Sequence, residues 1–394
     1  MKIKYLILLV VIYLAFIALG LPDALLGSAW NLVRLDLNTS LGTLGLMTVV
    51  VYAMSVFSTF NAPRILRFLE TKKVVFISIL LTGTALIMIS RVTAFYQMLF
   101  FAIPLGLGAG AIDVSLNHYL ASNYKAKHMN YLHSFYGIGV TFGPTIMAYT
   151  LRGDAWRSGY VVVGVVLLLI ALVSLISFPL WKKESQDERE ETHAHLGVRE
   201  MLSIPGVKSS ILIFLFYVHV ESLGGVWIAS YFYLTKDISF SDAALFTSSF
   251  YLALTIGRFM SGVLTRKLKP KTLVRIGESL ILMSGILMLF KYPSITYYYL
   301  IAGLFGIGCA PIYPNMMYMN KEHFQKKQLS KVMSLQMSIG YLGFGALTPL
   351  AGLVFEKLGI ETFPIFIIAS ISLTIFLTYI YLSKTRLTDN ETLG

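Results

Sequence analysis

Charge is what this sequence has least of. Aspartate, glutamate, lysine and arginine make up 13% of the 394 residues, while 56% are hydrophobic. Soluble domains carry about a quarter charged residues. No water-soluble fold can hide so much apolar surface, so lipid must be the solvent for most of it. Cysteine is almost missing: Cys309 is the single copy and lies inside an apolar run, which excludes a disulfide framework and any thiolate metal site. There is no histidine cluster, nucleophile–base pair or phosphate loop, and no strand precedes the Gly-x-Gly pairs, so they are not dinucleotide sites. The chain is therefore not read as an enzyme, and no cofactor or metal is expected. The net charge of +12 would suggest nucleic acid in a soluble protein. Here the basic residues occupy short loops between apolar runs, where membrane topology accounts for them and no nucleic-acid partner is required.

What is present is a series of long apolar runs, with a mean hydropathy of +0.72. A span needs about 20 mostly apolar residues. The runs place spans near 5–28, 41–61, 73–91, 95–122, 131–151, 157–181, 209–234, 243–264, 272–291, 296–319, 330–354 and 362–383. Lys2 and Lys4 precede the first run as in a signal peptide, but no small-residue cleavage site follows, and the run is read as a retained span. The longest polar break, 182–208, divides the chain into six spans on either side. It reads as a solvated, partly helical linker. When alternate loops are assigned to opposite sides, 25 of the 32 lysines and arginines fall on the side of the termini and the linker. Positive charge marks the cytoplasm, so both termini are expected there, in a multi-pass protein of the plasma or inner cell membrane. The expected fold is all-α. Residues 1–181 and 209–394 form two six-helix bundles joined by the cytoplasmic linker 182–208.

The halves repeat at an offset of 200 residues: Gly106, Gly108 and Ile112 match Gly306, Gly308 and Ile312. The basic loop beginning Asn61-Ala-Pro-Arg matches the one beginning Ser261-Gly-Val-Leu at the same offset. Parallel six-span repeats place a binding site at the bilayer midplane between the halves. In this architecture the chain resembles the major facilitator superfamily over its full length.

Ionisable residues inside spans are expensive, at roughly 2.5–3.5 kcal/mol on insertion scales, and usually face a cavity or a partner. Three acids are singled out: Asp23, Asp113 and Glu221. Asp23 lies in Gly20-Leu-Pro-Asp-Ala-Leu-Leu-Gly27, and Asp113 is one helical turn from Asn117 on a stripe with Gly106 and Gly110. Small residues on that stripe allow close backbone approach or leave room for a ligand. The structural alternative is an acid that pairs with an arginine or a neighbouring helix. Sugar hydroxyls would suit Asp23, Asn117, His133, Glu221, Asn315 and Gln336, and a flat sugar face would suit Trp227 and Tyr231. Those two rings point about 100° or more away from Glu221 on an ideal helix, and would join it only if Gly224-Gly225 distorts the span. Otherwise they belong to an interfacial aromatic belt. For His133, packing and ligand contact stand as equal readings. Pro311 and Pro314 in span ten interrupt the backbone ladder and allow bending.

Asp113-Val-Ser-Leu-Asn117 resembles the Glu-x-x-Ala-Asn element of span four in the L-fucose/proton symporter family, and Leu21-Pro-Asp23 resembles the Asn-Asp element of its span one. The resemblance implies that Asp113 and Asp23 serve proton coupling, with Asp23 also recognising sugar. His133-Ser-Phe-Tyr-Gly-Ile-Gly139 is similar to a span-five stretch that has Gln at its first position. Phe216-Tyr-Val218 followed by Glu221 is similar to a span-seven stretch with Gln in place of the acid. In the superfamily pattern after span two, Gly is followed by Asp-Arg; here Ala62 and Leu66 replace Gly and Asp, while the second half keeps Gly262 and has Arg266 in the acid's place. Arg67, Arg258, Gly262 and Lys267 are the residues expected to act in such gating loops, with plain positive-inside topology as the alternative. Together these features imply a monomeric transporter taking up a hexose with H+ as the coupling ion. Sodium coupling, export of drugs or sugars, and a transport-inactive sensor are the rival readings.

Overall fold

In hydrocarbon every backbone N–H and C=O must be answered from within the protein, and a helix answers them locally. The computed structural model describes residues 2–124, 126–153, 155–182 and 198–391. Among them run α1 Lys2–Gly20, α2 Leu25–Asp36, α3 Thr43–Phe68, α4 Thr71–Ile89, α5 Phe95–Asn123, α6 Ala126–Leu151, α7 Trp156–Ile176, α8 Val198–Ser203, α9 Val207–Lys236, α10 Phe240–Leu264, α11 Pro270–Met288, α12 Ile295–Cys309, α13 Ile312–His323, α14 Lys326–Leu342, α15 Thr348–Leu358 and α16 Phe363–Glu391. Three pairs are broken rods: α1 with α2, α12 with α13, and α14 with α15. Counting those pairs once and leaving out the short α8, the described residues form twelve rods. Ten are long and apolar enough to cross a membrane, and the more polar α6 and α11 complete the set. The helix α8 lies inside the stretch read as the linker. Residues 183–197 of that stretch lie outside the described residues.

The two halves share one packing diagram. In the first, α1 packs on α6, α3 on α5, and α4 on both α5 and α7; in the second, α9 packs on α14, α10 on α12, and α11 on both α12 and α16. The glycines of the sequence repeat lie at these crossings. A Cβ on Gly106 would strike the Val51 carbonyl of α3, and one on Gly306 would strike the Phe250 carbonyl of α10. Both positions therefore need the smallest side chain for the helices to approach this closely.

The rods break where the sequence removes or spreads backbone bonds. Pro22 has no N–H, and a turn from Gly20 separates α1 from α2. Pro311 opens the second break, and the Asn315 amide donates to its carbonyl at 2.7 Å. The third break is a π-helical turn, Gly343–Leu347, of the kind that often marks functional positions.

The halves meet from mid-depth to the end remote from the termini. There α6 lies along α10, α2 rests on α9 and α10, and α3 rests on α15 and the π turn. Gly27 of α2 sits directly on the α9 backbone, where a Cβ would come within 2.6 Å of the Val226 carbonyl oxygen. The Tyr52 and Phe344 rings meet across the joint, tilted by 31° with centroids 3.8 Å apart. Thr145 and Ser248 hydroxyls lie 2.7 Å apart. At the remote end Glu356 accepts from the Ser40 hydroxyl at 3.0 Å and from the Gly42 backbone N–H at 2.9 Å, beside the first turn of α3. Toward the terminal end no pair of helices packs this closely across the halves among the described residues, and Gly262 has open space around it. Among the described residues the halves are closed together at the remote end and stand apart at the terminal end.

This arrangement makes Glu356 a latch. It is exposed, so solvent screening leaves its two bonds worth about 1 kcal/mol together. Glu356→Ala is expected to raise, several-fold, the rate at which a membrane-impermeant maleimide added on the side remote from the termini labels Thr48→Cys, a position buried in the closed joint. Unchanged labelling would show that the joint holds without Glu356.

Candidate functional site

Asp23 follows the break after α1, and two glycines bring it to its partner. A Cβ on Gly20 would lie 2.9 Å from Val140 N and 3.2 Å from Gly139 Cα, so α1 and α6 touch backbone to backbone. That approach lets the Tyr136 hydroxyl donate to Asp23 Oδ2 at 2.5 Å. Asp23 remains exposed, facing the space between the halves. Asp113 on α5 is half-buried and accepts from the Asn117 amide at 2.8 Å. That amide also lies 2.9 Å from the Asp113 carbonyl oxygen, so Asn117 acts first as the partner of Asp113. Asp23 and Asp113 lie within electrostatic range of each other, and among the described residues neither has a basic partner.

Glu221 on α9 has the opposite surroundings. Arg258 Nη2 donates to its Oε1 at 3.0 Å, and the Tyr217 hydroxyl donates to its Oε2. The same hydroxyl lies 3.0 Å from the Cys309 carbonyl oxygen. Arg258, expected in a basic gating loop, thus sits inside α10 as the counter-ion of Glu221, because its position in the helix faces α9. Its Nε is buried without a partner among the described residues. Tyr52 lies within electrostatic range of both Asp23 and Glu221, and of Tyr251 and Tyr341. The site is therefore a cleft with acids at either side, and on each side a tyrosine hydroxyl, Tyr136 or Tyr217, donates to a carboxylate.

The structure sorts the other expected residues. His133 is exposed and meets Phe16 edge-on at 5.9 Å, on the same helix as Tyr136. Trp227 is completely buried; its indole N–H donates to the Thr348 carbonyl at 3.2 Å and its ring packs on Phe355. Tyr231 donates to the Met288 carbonyl at 2.5 Å and stacks on Phe363. Both rings are interior packing of the carboxy-terminal bundle, facing neither the cleft nor an interfacial belt, since the Gly224-Gly225 pair leaves α9 unbroken. Asn315 is buried and donates to Ser261 at 3.0 Å as well as to Pro311. Gln336 and Asn320 exchange amide bonds of 2.7 and 3.2 Å in full burial. Neither amide opens on the cleft. Gly262 and Lys267 are exposed at the terminal end of α10, and the side chain of Arg67 lies outside the described residues.

Two features escaped the sequence reading. Glu278 of α11 is a fourth intramembrane acid, 2% exposed, which accepts from the Thr378 hydroxyl of α16 at 2.5 Å. It follows a basic loop and Arg275 closely enough to look like the end of a span, although the Gly277-Glu278-Ser279 run inside an apolar stretch was a visible signal. Tyr136 lay within the quoted span-five stretch, but nothing in the stretch shows that it reaches Asp23.

Comparison with known proteins supplies the family. Residues 12–305 and 209–392 match the family model of the Major Facilitator Superfamily. A Saccharomyces cerevisiae protein, Bypass of stop codon protein 6, is 23% identical over 321 residues, 71% of this chain and 63% of that protein. The chain thus spans less than two thirds of the length of this relative. Among solved structures, a D-xylose-proton symporter superposes with a TM-score of 0.76 at 13% identity, covering 95% of this chain and 97% of that one. A bacterial homolog of the human lysosomal transporter Spinster, in an inward-facing and occupied conformation, gives 0.67 at 14% identity over 97% and 96%. At these identities the likeness is one of fold. The family match extends over well more than half of the sequence, and the chain therefore belongs to the Major Facilitator Superfamily of membrane transporters.

Proposed function

We propose that the protein is a proton-coupled symporter that takes up a monosaccharide by alternating access, in the fucose-permease-like branch of its superfamily. The observation that carries this reading is the contrast between the two sides of the cleft. Glu221 is neutralised by Arg258, whereas Asp23 and Asp113 have only neutral donors, Tyr136 and Asn117. Closing the halves over an uncompensated carboxylate is costly, and a proton removes that cost by removing the charge. The tyrosine hydroxyls and carboxylates of the cleft suit sugar hydroxyls, and the fold shared with a D-xylose-proton symporter is compatible with such a cargo. On this reading the terminal side is cytoplasmic, as its excess of basic residues suggests, and the structure is the inward-open state after release. Each proton entering contributes about 2.3 kcal/mol per 100 mV of membrane potential.

Proteoliposomes given a pH gradient should accumulate a labelled hexose, and Asp113→Asn should abolish accumulation while leaving sugar exchange intact. Accumulation driven by a sodium gradient alone would keep the sugar and reassign the acids to cation binding. Accumulation that persists in Asp113→Asn would remove that residue from coupling. One observation favours a second reading, proton-driven export of a lipophilic cation: Asp23 opens onto a largely apolar cavity. Extrusion of such a cation, with no hexose uptake under either gradient, would establish it.

The Glu221–Arg258 pair generates a separate expectation. Removing one partner of a desolvated pair leaves the other charge uncompensated, at about 3–5 kcal/mol for full burial. The pair is partly exposed, at 24% and 34%, so Glu221→Gln should cost about 1–2 kcal/mol after screening. It should lower the unfolding temperature measurably. A double Glu221→Gln, Arg258→Gln variant should recover most of the loss; a double variant no more stable than the single would show that the pair is not the stabilising element.

A further inference from the structure

We infer that the apolar cavity beside Asp23 is a side pocket of the sugar site, built to take an apolar substituent on the sugar, so that aryl or alkyl hexosides are better ligands than the free hexose. This rests on the sugar reading above. The cavity offers about 70 Å3 of room to the centres of water-sized molecules. It begins at the joint between the halves, at Asp23, Tyr52 and Phe344, and enters the amino-terminal bundle among α1, α3, α4 and α5 as far as Ile89 and Tyr160 near the remote end. Its walls are chiefly aliphatic, with Leu26, Met47, Val51, Ile79, Leu86 and Leu105 among them.

A free hexose carries a hydroxyl on nearly every carbon. In such a pocket those hydroxyls would give up water without replacement, which disfavours the sugar ring there. An apolar group gains from the same surroundings. The pocket wall also carries a buried polar atom without an answer. Tyr160 is 2% exposed, lines the cavity, and its hydroxyl has no hydrogen-bond partner among the described residues. Buried hydroxyls are normally paired, so this one suits a hydrogen-bond acceptor on the far side of the substituent. The Thr82 hydroxyl, also on the wall, is already used by the Ser78 carbonyl at 2.9 Å. Asp23, at the mouth, holds the hydroxylated part. The ligand class is a hexoside whose aglycone is apolar and ends in an acceptor.

The test is direct binding to the purified full-length protein, by calorimetry, of methyl, phenyl and 4-nitrophenyl hexosides of D-glucose, D-galactose and L-fucose, with tetraphenylphosphonium as a further probe. For the sugar that binds, the phenyl hexoside should bind about tenfold tighter than the methyl hexoside, and the 4-nitrophenyl hexoside tighter still. Ala109→Phe, which fills the pocket from α5, should erase the phenyl gain and keep methyl hexoside affinity, which also shows that the variant is folded. Tyr160→Phe should keep the phenyl gain and lose the additional 4-nitrophenyl gain. Equal affinity for methyl and phenyl hexosides would overturn the pocket and leave the sugar reading standing. If no hexoside binds, both fall, and binding of tetraphenylphosphonium alone would give the cavity to a lipophilic cation instead.

Discussion

Everything in this molecule is arranged around the cost of an uncompensated charge in hydrocarbon. Among the described residues Asp23, Asp113, Glu221 and Glu278 lie away from the span ends, and each is met by a partner from a helix-packing contact or its own helix: Tyr136, Asn117, Arg258 and Thr378. The partners differ in kind. A hydroxyl or an amide donor leaves the charge of the acid free to change, whereas a guanidinium fixes it. The acids with neutral partners at the cleft are both in the amino-terminal half, and the acid with a cation is in the other. The halves share one packing diagram but divide the electrostatic work unequally. Glu278 stands apart, held between α11 and α16 away from the cleft residues, where the Thr378 hydroxyl donates to it.

The closed joint shows why small residues matter as much as charged ones. Gly20 and Gly27 lie on consecutive segments of the first rod. The first sets the spacing to α6 that brings Tyr136 onto Asp23; the second sets the contact with α9 across the halves. The break at Pro22 falls between them. One short segment therefore positions the acid within its own bundle and seals that bundle against the other.

The architecture was legible because its signals are long and additive. Spans of about 20 residues and a repeated glycine pair both survive local error. The glycine pair proved to mark equivalent crossings in the two halves. The site was legible only in part. Asp23, Asp113 and Glu221 stand out against an apolar background whichever way they face. Trp227 and Tyr231 do not, because lipid and protein interior select the same side chains, so the sequence of α9 carries little sign of which face is which. Asn315 and Gln336 looked available because their partners, Ser261 and Asn320, are polar groups whose proximity is created by folding. Arg258 was grouped with the loop that follows it, although the helix carries it to Glu221.

The π turn of the eleventh rod can be followed along one seam. Gly340 and Gly343 lie three positions apart on it; Gly340 faces Val218, and Gly343 lies against the Leu215 carbonyl and the His219 N–H of α9. The next residue on that seam is Thr348, five positions on, whose hydroxyl meets His219 at 3.0 Å, and then Gly352, which faces Trp227. The wide turn supplies the five-residue step, and the Thr348 N–H and hydroxyl both return to the Gly343 carbonyl. Without the extra residue, everything beyond it would be rotated about 100° around the rod, and Glu356 would no longer point at α3. A single residue of slack in mid-membrane thus sets the angular phase of the latch some three turns away.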